Sequence, residues 1–191
     1  MPVAAALHHP NIAELYDWGR AQWNDRTVLY VATERLLGGS LRDLLDRGRL
    51  LSPSQSLVVG LDACKALDAL HRGGLVHTDV RPSTLVFGDD RRLRLVDAGL
   101  AQVLHDAVDD VTVRSMDRAK YSSPEEAQGQ PVLPKSDVYS LCLSLLEAVT
   151  GVVPFEGEST VATLANRVDR LMPVSADFGQ LAAVFERAGR P

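Results

Sequence analysis

Cysteine is nearly absent: the 191 residues include only Cys64 and Cys142, which excludes a disulfide framework and leaves no thiolate set for a metal. Both fall at apolar positions of predicted helices and read as small core residues in a reducing, cytoplasmic compartment. Lysine is also scarce, with Lys65, Lys120 and Lys135 as the whole supply. A formal net charge of −5 argues against the dense cationic field that nucleic acid or an anionic membrane selects. No long apolar run occurs. The stretch 141–146 is broken by Ser144 and closed by Glu147, so no membrane-spanning helix is expected. The first seven residues are apolar but lack a positive leader and run into His8-His9-Pro10, unlike a signal peptide. His8, His9, His71 and His105 have no cysteine or carboxylate at zinc-ligand spacing and read as surface or turn residues. No internal repeat or low-complexity linker divides the chain. Its ordinary apolar and charged content fits one domain with a real core.

Residues 12–18 and 27–34 are short β-rich runs separated by Asn24-Asp25, which predicts two antiparallel strands and a turn. Helices begin after Gly38-Gly39. Ser40 and Asp43 form a capping-box pair ahead of Leu41, Leu44 and Leu45, which share one face. Ser52-Pro53 is an N-cap and first-turn pair for a long helix that ends at Gly73-Gly74. Its inward stripe is predicted as Leu57, Leu61, Cys64, Leu67 and Leu70. Strand-like pieces follow at 75–77, 85–87 and 93–96. A helix over 135–150 is predicted to carry Val138, Leu141, Leu145 and Val149 inward and stop at Gly151, with weaker helices near 160–170 and 176–188. The Arg91-Arg92-Leu93-Arg94 cluster reads as a solvated turn and strand edge, with docking as the alternative.

Immediately after the long helix, His77-Thr78-Asp79-Val80-Arg81-Pro82-Ser83-Thr84 resembles the H-R-D-L-K-P-x-N catalytic loop of protein kinases. Asp97-Ala98-Gly99 stands in the place of D-F-G, Ser123-Pro124-Glu125 resembles A-P-E, and 136–141 resembles the start of the next helix. Upstream, Leu7-His8-His9-Pro10-Asn11-Ile12 resembles the H-P-N-I segment before the fourth strand. Glu34-Arg35-Leu36 ahead of Gly38-Gly39 resembles the inter-lobe hinge. Taken in order over nearly the whole chain, these motifs resemble eukaryotic-type serine/threonine protein kinases. Residues 121–125, Gln128 and 152–155 are similar to the bacterial ones. The resemblance implies an α+β, protein-kinase-like fold. A remnant of the N-lobe with two strands and the hinge would occupy 1–37, and a mainly α-helical C-lobe 38–191.

The resemblance also implies ATP and Mg²⁺ as cofactors and a protein as substrate or partner. Asp79 matches the catalytic aspartate that accepts the hydroxyl proton, and Arg81 stands where a lysine contacts the transferred phosphate. Asp97 matches the metal-binding aspartate, and Thr84 replaces the asparagine that holds a second Mg²⁺, offering a poorer oxygen at shorter reach. Backbone groups of Glu34 and Leu36 match the adenine-binding hinge, with Val86 as the floor beneath the ring. His77 reads as a structural core histidine.

Other positions depart from the pattern. Ala98 replaces the packing phenylalanine, and Thr78 replaces the arginine that receives a loop phosphate. Asp117-Arg118 replaces Gly-Thr, placing a guanidinium where it can pair with Asp79. No G-x-G-x-x-G and no strand lysine occur in the chain, and Glu125 is expected to lack its arginine partner. Two readings follow: a truncated, catalytically impaired kinase-like module that binds or regulates, or the catalytic lobe of an active kinase whose N-terminal part is missing. In either, the two leading strands are expected to leave an open edge that favours a homodimer or a protein partner.

Overall fold

The computed structural model describes residues 7–98 and 116–190. Strands β1 (Leu15–Trp23) and β2 (Arg26–Thr33) form an antiparallel hairpin. Asn24 and Asp25 both adopt left-handed backbone, with φ of 47° and 60°, as a two-residue hairpin turn requires. Tyr30 lies over Gly19, where a Cβ would sit 3.1 Å from its ring. The expected strands are thus present, shifted by up to five residues at their ends. Both faces of the hairpin are solvated, and Trp23 is 69% exposed.

A second small sheet pairs β3 (Leu85–Phe87) with β4 (Leu93–Leu95). Its edges are extended by isolated bridges from Ile12 to Leu95 and from Ser40 to Val86. The predicted strand at 75–77 does not form. Its backbone is held by other partners: Leu75 donates to the Leu70 carbonyl and His77 to the Asp137 carboxylate, which takes those two N–H groups away from any ladder.

Seven helices complete the described fold: α1 (Leu41–Asp46), α2 (Pro53–Arg72), α3 (Met116–Ala119), α4 (Pro124–Ala127), α5 (Pro134–Thr150), α6 (Thr160–Ala165) and α7 (Ala182–Ala188). The capping boxes Ser40/Asp43 and Ser52/Gln55 form, and Ser123/Glu126 adds a third at α4. Pro at the first turn starts α2, α4 and α5. Gly151 closes α5 in the left-handed conformation, its N–H donating to the Glu147 carbonyl. The last predicted helices are shorter than the sequence suggests. Residues 166–170 are not helical, and Gly179, at φ 52° and ψ −124°, kinks the 3-10 segment Ala176–Leu181 that precedes α7.

The core lies where α2 packs on α5, and the stripe that α2 buries is only partly the predicted one, since Leu67 and Leu70 face inward as expected. Leu57, Leu61 and Cys64 face outward, with Leu61 51% exposed, while Val59, Gly60, Ala63, Ala66, Leu67 and Leu70 are buried. Two adjacent stripes of this helix are apolar, and backbone approach selects between them. A Cβ on Gly60 would stand 3.1 Å from Leu145 Cδ1, so the small-residue face is the one that lets the helices close. Helix α5 is buried on nearly every side, which corrects the predicted single stripe. Its buried Ser140 and Ser144 donate to the Ser136 and Ser140 carbonyls, which satisfies both hydroxyls within the helix.

Truncating a buried residue of this helix should therefore cost far more than truncating one of the three predicted residues that face outward. In urea unfolding, Leu70→Ala should lose roughly 2–5 kcal/mol and Leu61→Ala no more than about 0.5 kcal/mol. Comparable losses at the two positions would restore the predicted stripe.

Candidate active site

The loop at 77–84 is positioned by one carboxylate. Asp137, in the first turn of α5 and buried, accepts from His77 N–H and Thr78 N–H at 2.8 Å each and from His71 Nε2 at 2.7 Å. These bonds hold Thr78 at φ 66°, a left-handed backbone that a β-branched residue adopts only under constraint. The sequence placed Asp137 in a recognisable helix start but gave no sign that it grips the loop. An acidic residue in the first turn usually serves its own helix dipole.

His77 joins this loop to the next strand. Its Nδ1 accepts from Asp79 N–H at 3.2 Å, so the ring proton sits on Nε2 and is donated to the Val96 carbonyl at 2.8 Å. Val96 N–H in turn donates to the Thr84 carbonyl at 3.0 Å. Asp97, next in the chain, is thereby set beside both ends of the loop, and His77 is the structural histidine expected of it. Asp97 is exposed, holds φ 62°, and makes no hydrogen bond or ion pair among the described residues. Its neighbour Ala98 packs against the core, while Gly99 lies outside the described residues.

Asp79 is not free. Arg81 Nε lies 3.2 Å from its Oδ2 and Arg118 Nε 3.6 Å from its Oδ1. Arg118 also donates to the Thr78 carbonyl at 3.1 Å, and Arg81 reaches across to the Asp117 carboxylate. The pairing of Arg118 with Asp79 anticipated from sequence is thus present, and Arg81 adds a second guanidinium to the same carboxylate. Arg81 and Thr84 do meet Asp79 in one loop, but Thr84 faces inward. Its buried hydroxyl accepts from Arg81 N–H at 3.0 Å and is directed at the Asp79 and Arg81 carbonyls at 3.0 and 2.9 Å. A hydroxyl engaged in this way is a loop clasp and offers little to a metal.

The hinge residues lie between β2 and α1. Glu34 N–H is taken by the Glu14 carbonyl at 2.8 Å, and its side chain meets Arg94 Nε at 3.5 Å. Among the described residues, the Glu34 carbonyl and the Leu36 N–H carry no hydrogen bond. Val86 stands opposite, bridged to Ser40, with Phe87 N–H on the Gly39 carbonyl and Gly38 N–H on the Phe87 carbonyl. This arrangement presents a carbonyl acceptor and an N–H donor near an apolar floor, which matches the edge and face of a planar heterocycle.

Two further clusters, which sequence reasoning missed, brace the site. Arg42 Nη2 donates to both Glu147 oxygens at 2.7 and 2.9 Å and to Tyr121 Oη at 2.7 Å, while Tyr121 donates to Glu147 at 2.6 Å. Burial alone would lower the Arg42 pKa, but the Glu147 hydrogen bond together with the nearby Tyr121, Glu147 and Asp46 groups outweighs it and the net direction is up. Burial and the same carboxylate push the Tyr121 phenol well above its ordinary range. Fully buried Arg167 donates to the carbonyls of Ala119, Lys120 and Ser122, tying down the segment that carries Arg118. Burial lowers its pKa from the usual guanidinium range. Glu125, expected to lack an arginine partner, accepts from Ser136 Oγ at 2.5 Å. Nothing in the flanking sequence marks Arg167, which lies between Asn166 and Val168 just past α6.

A protein kinase domain family model matches residues 1–184. Serine/threonine-protein kinase PknB of Mycolicibacterium smegmatis is 36% identical over 167 residues, covering 86% of this chain and 27% of that protein. PknB of Mycobacterium tuberculosis strain H37Rv is 36% identical over 183 residues, 94% of this chain and 29% of that protein. A probable serine/threonine-protein kinase of Corynebacterium efficiens is 35% identical over 167 residues, 86% and 25% respectively. The chain thus spans little more than a quarter of the length of these curated relatives.

Removing the Asp137 carboxylate should release the loop. Asp137→Ala leaves the His77 and Thr78 N–H groups without their acceptor, at roughly 1–3 kcal/mol each, and should lower the denaturation midpoint more than Asp137→Asn, which keeps one acceptor. Equal midpoints for the two variants would show that the charge, and not the hydrogen-bond count, holds the loop.

Proposed function

Because this chain belongs to the protein kinase domain family, we propose that, as it stands, it is a catalytically impaired serine/threonine protein kinase-like module with a binding or regulatory role. The observation that carries this reading is the state of Asp79. A base that must accept a hydroxyl proton needs an open carboxylate, and here both oxygens face guanidiniums. The chain also contains no G-x-G-x-x-G, and Lys65, Lys120 and Lys135 all follow the hinge. We place the boundary between an N-lobe remnant and the C-lobe after residue 37, and the protein in the cytoplasm.

The family's cofactors, ATP and Mg²⁺, fit these residues unevenly. The Glu34 carbonyl, Leu36 N–H and Val86 suit an adenine ring. The exposed Asp97 carboxylate, without a partner among the described residues, suits one metal ligand, and bound Mg²⁺ would neutralise phosphate charge there. Thr84 does not fit a second metal, since its hydroxyl is engaged by the loop backbone. What these residues do without cofactor is hold: Arg81 and Arg118 keep Asp79 occupied, and Asp137 fixes the loop around it.

A second reading, the catalytic lobe of an active kinase, is favoured by the survival of both Asp79 and Asp97. An in-frame Gly-rich loop and strand lysine in the coding DNA upstream of Met1 would support it. The homodimer expected from sequence has no support beyond the solvated β1–β2 hairpin.

With radiolabelled ATP and Mg²⁺, the chain should incorporate no phosphate into itself or a generic protein substrate. Incorporation abolished by Asp79→Asn overturns the proposal. In thermal melts, ATP with Mg²⁺ should raise Tm no more than adenosine does, because adenine contacts dominate the occupancy of the folded state. A larger ATP shift that Asp97→Asn removes would mean that the phosphate site is intact.

A further inference from the structure

Away from Asp79, a groove of about 710 Å³ opens between the end of α1, the start of α2 and the β3–β4 turn. That volume lies within the range of about 300–1,000 Å³ usual for ligand pockets. Leu44, Leu51, Val58 and Phe87 supply its apolar walls, and Arg49 and Arg91 stand at its rim. Val58 is 61% exposed and continues into the outward stripe of α2, where Leu57 and Leu61 are also exposed. An apolar strip of this kind beside a groove marks an interaction surface more often than an accident of composition.

The charge at the rim says what kind of partner fits. The chain as a whole carries −5, yet neither Arg49 nor Arg91 makes an ion pair among the described residues. Asp90, the residue just before Arg91, is already occupied, because it holds Arg94 through two hydrogen bonds at 3.0 Å. The turn is built to present its arginine: Gly88 N–H donates to the Arg92 carbonyl, Arg91 N–H donates to the Gly88 carbonyl, and Arg91 adopts φ 62°. Unpaired guanidiniums over an apolar trough complement a chain segment with apolar side chains between carboxylates.

We propose that this groove docks a linear segment of a partner protein in which leucine-like side chains are flanked by aspartate or glutamate. Arg49 and Arg91 select the acidic flanks, and Leu44, Leu51, Val58 and Phe87 receive the apolar side chains. The docking requires nothing of Asp79 or of nucleotide, so it stands whether or not the chain transfers phosphate. It also absorbs the arginine cluster that the catalytic loop does not use.

The probe is a short fluorescein-labelled peptide with two leucines between pairs of glutamates, titrated with the full chain by fluorescence polarisation. Saturable binding is expected, weakened at least about tenfold, or about 1.4 kcal/mol, in the double variant Arg49→Glu/Arg91→Asp and again in Val58→Asp. Aspartate is chosen at position 91 because it tolerates the left-handed backbone. Arg26→Glu, on the β1–β2 hairpin, should leave binding unchanged, and a lysine-for-glutamate peptide should not bind. Circular dichroism melts of each variant at the parent Tm exclude unfolding as the cause. No saturable binding, equal binding by an acidic peptide lacking leucine, or insensitivity to the groove variants overturns the proposal. So does self-association of the chain that Val58→Asp abolishes, which would assign the groove to a second copy.

Discussion

A buried carboxylate facing backbone N–H groups is the constraint on which the site depends. Asp137 sits at the start of the most buried helix, and its oxygens accept from His77, Thr78 and His71. A buried charge survives only when hydrogen bonds replace the water it has lost, and here the replacement comes from a loop with no ladder of its own. The loop and the helix start therefore form one unit. From His77 the order passes through Val96 to Asp97, and from Arg81 and Thr84 it closes back on Asp79.

Much of this architecture is legible in the sequence because its signals are local. Ser40/Asp43, Ser52-Pro53, Asn24-Asp25 and Gly151 each act within a few residues, and each produced the cap or turn it announced. The order of the motifs around Asp79 and Asp97 was readable for the same reason. Side-chain choices that depend on distant partners were not. Which of two apolar stripes α2 buries is decided by Leu145, 85 positions beyond Gly60. The inward turn of the Thr84 hydroxyl and the grip of Asp137 on residues some 60 positions away depend equally on contacts that composition does not show.

The bracing clusters differ in what they do. Arg42, Tyr121 and Glu147 tie α1, the segment before α4 and α5 into one polar knot. Losing one member of such a knot costs more than the pair contributes, because it leaves a buried charge unmatched. Arg167 works without a carboxylate at its tips, spreading its charge over three backbone carbonyls. That choice holds the backbone that carries Arg118 and so helps to fix the guanidinium that occupies Asp79.

The close approach at Gly60 has a consequence for how this protein can change over generations. Because the small-residue face of α2 is fixed against Leu145, substitutions there are purged by folding before any other property is tested. The opposite face bears no such load. Leu57, Val58 and Leu61 lie in solvent on the same helix, where replacement hardly alters stability. One helix thus offers selection two independent ledgers, an inner one closed by packing and an outer one open to the acquisition of new recognition without loss of the fold.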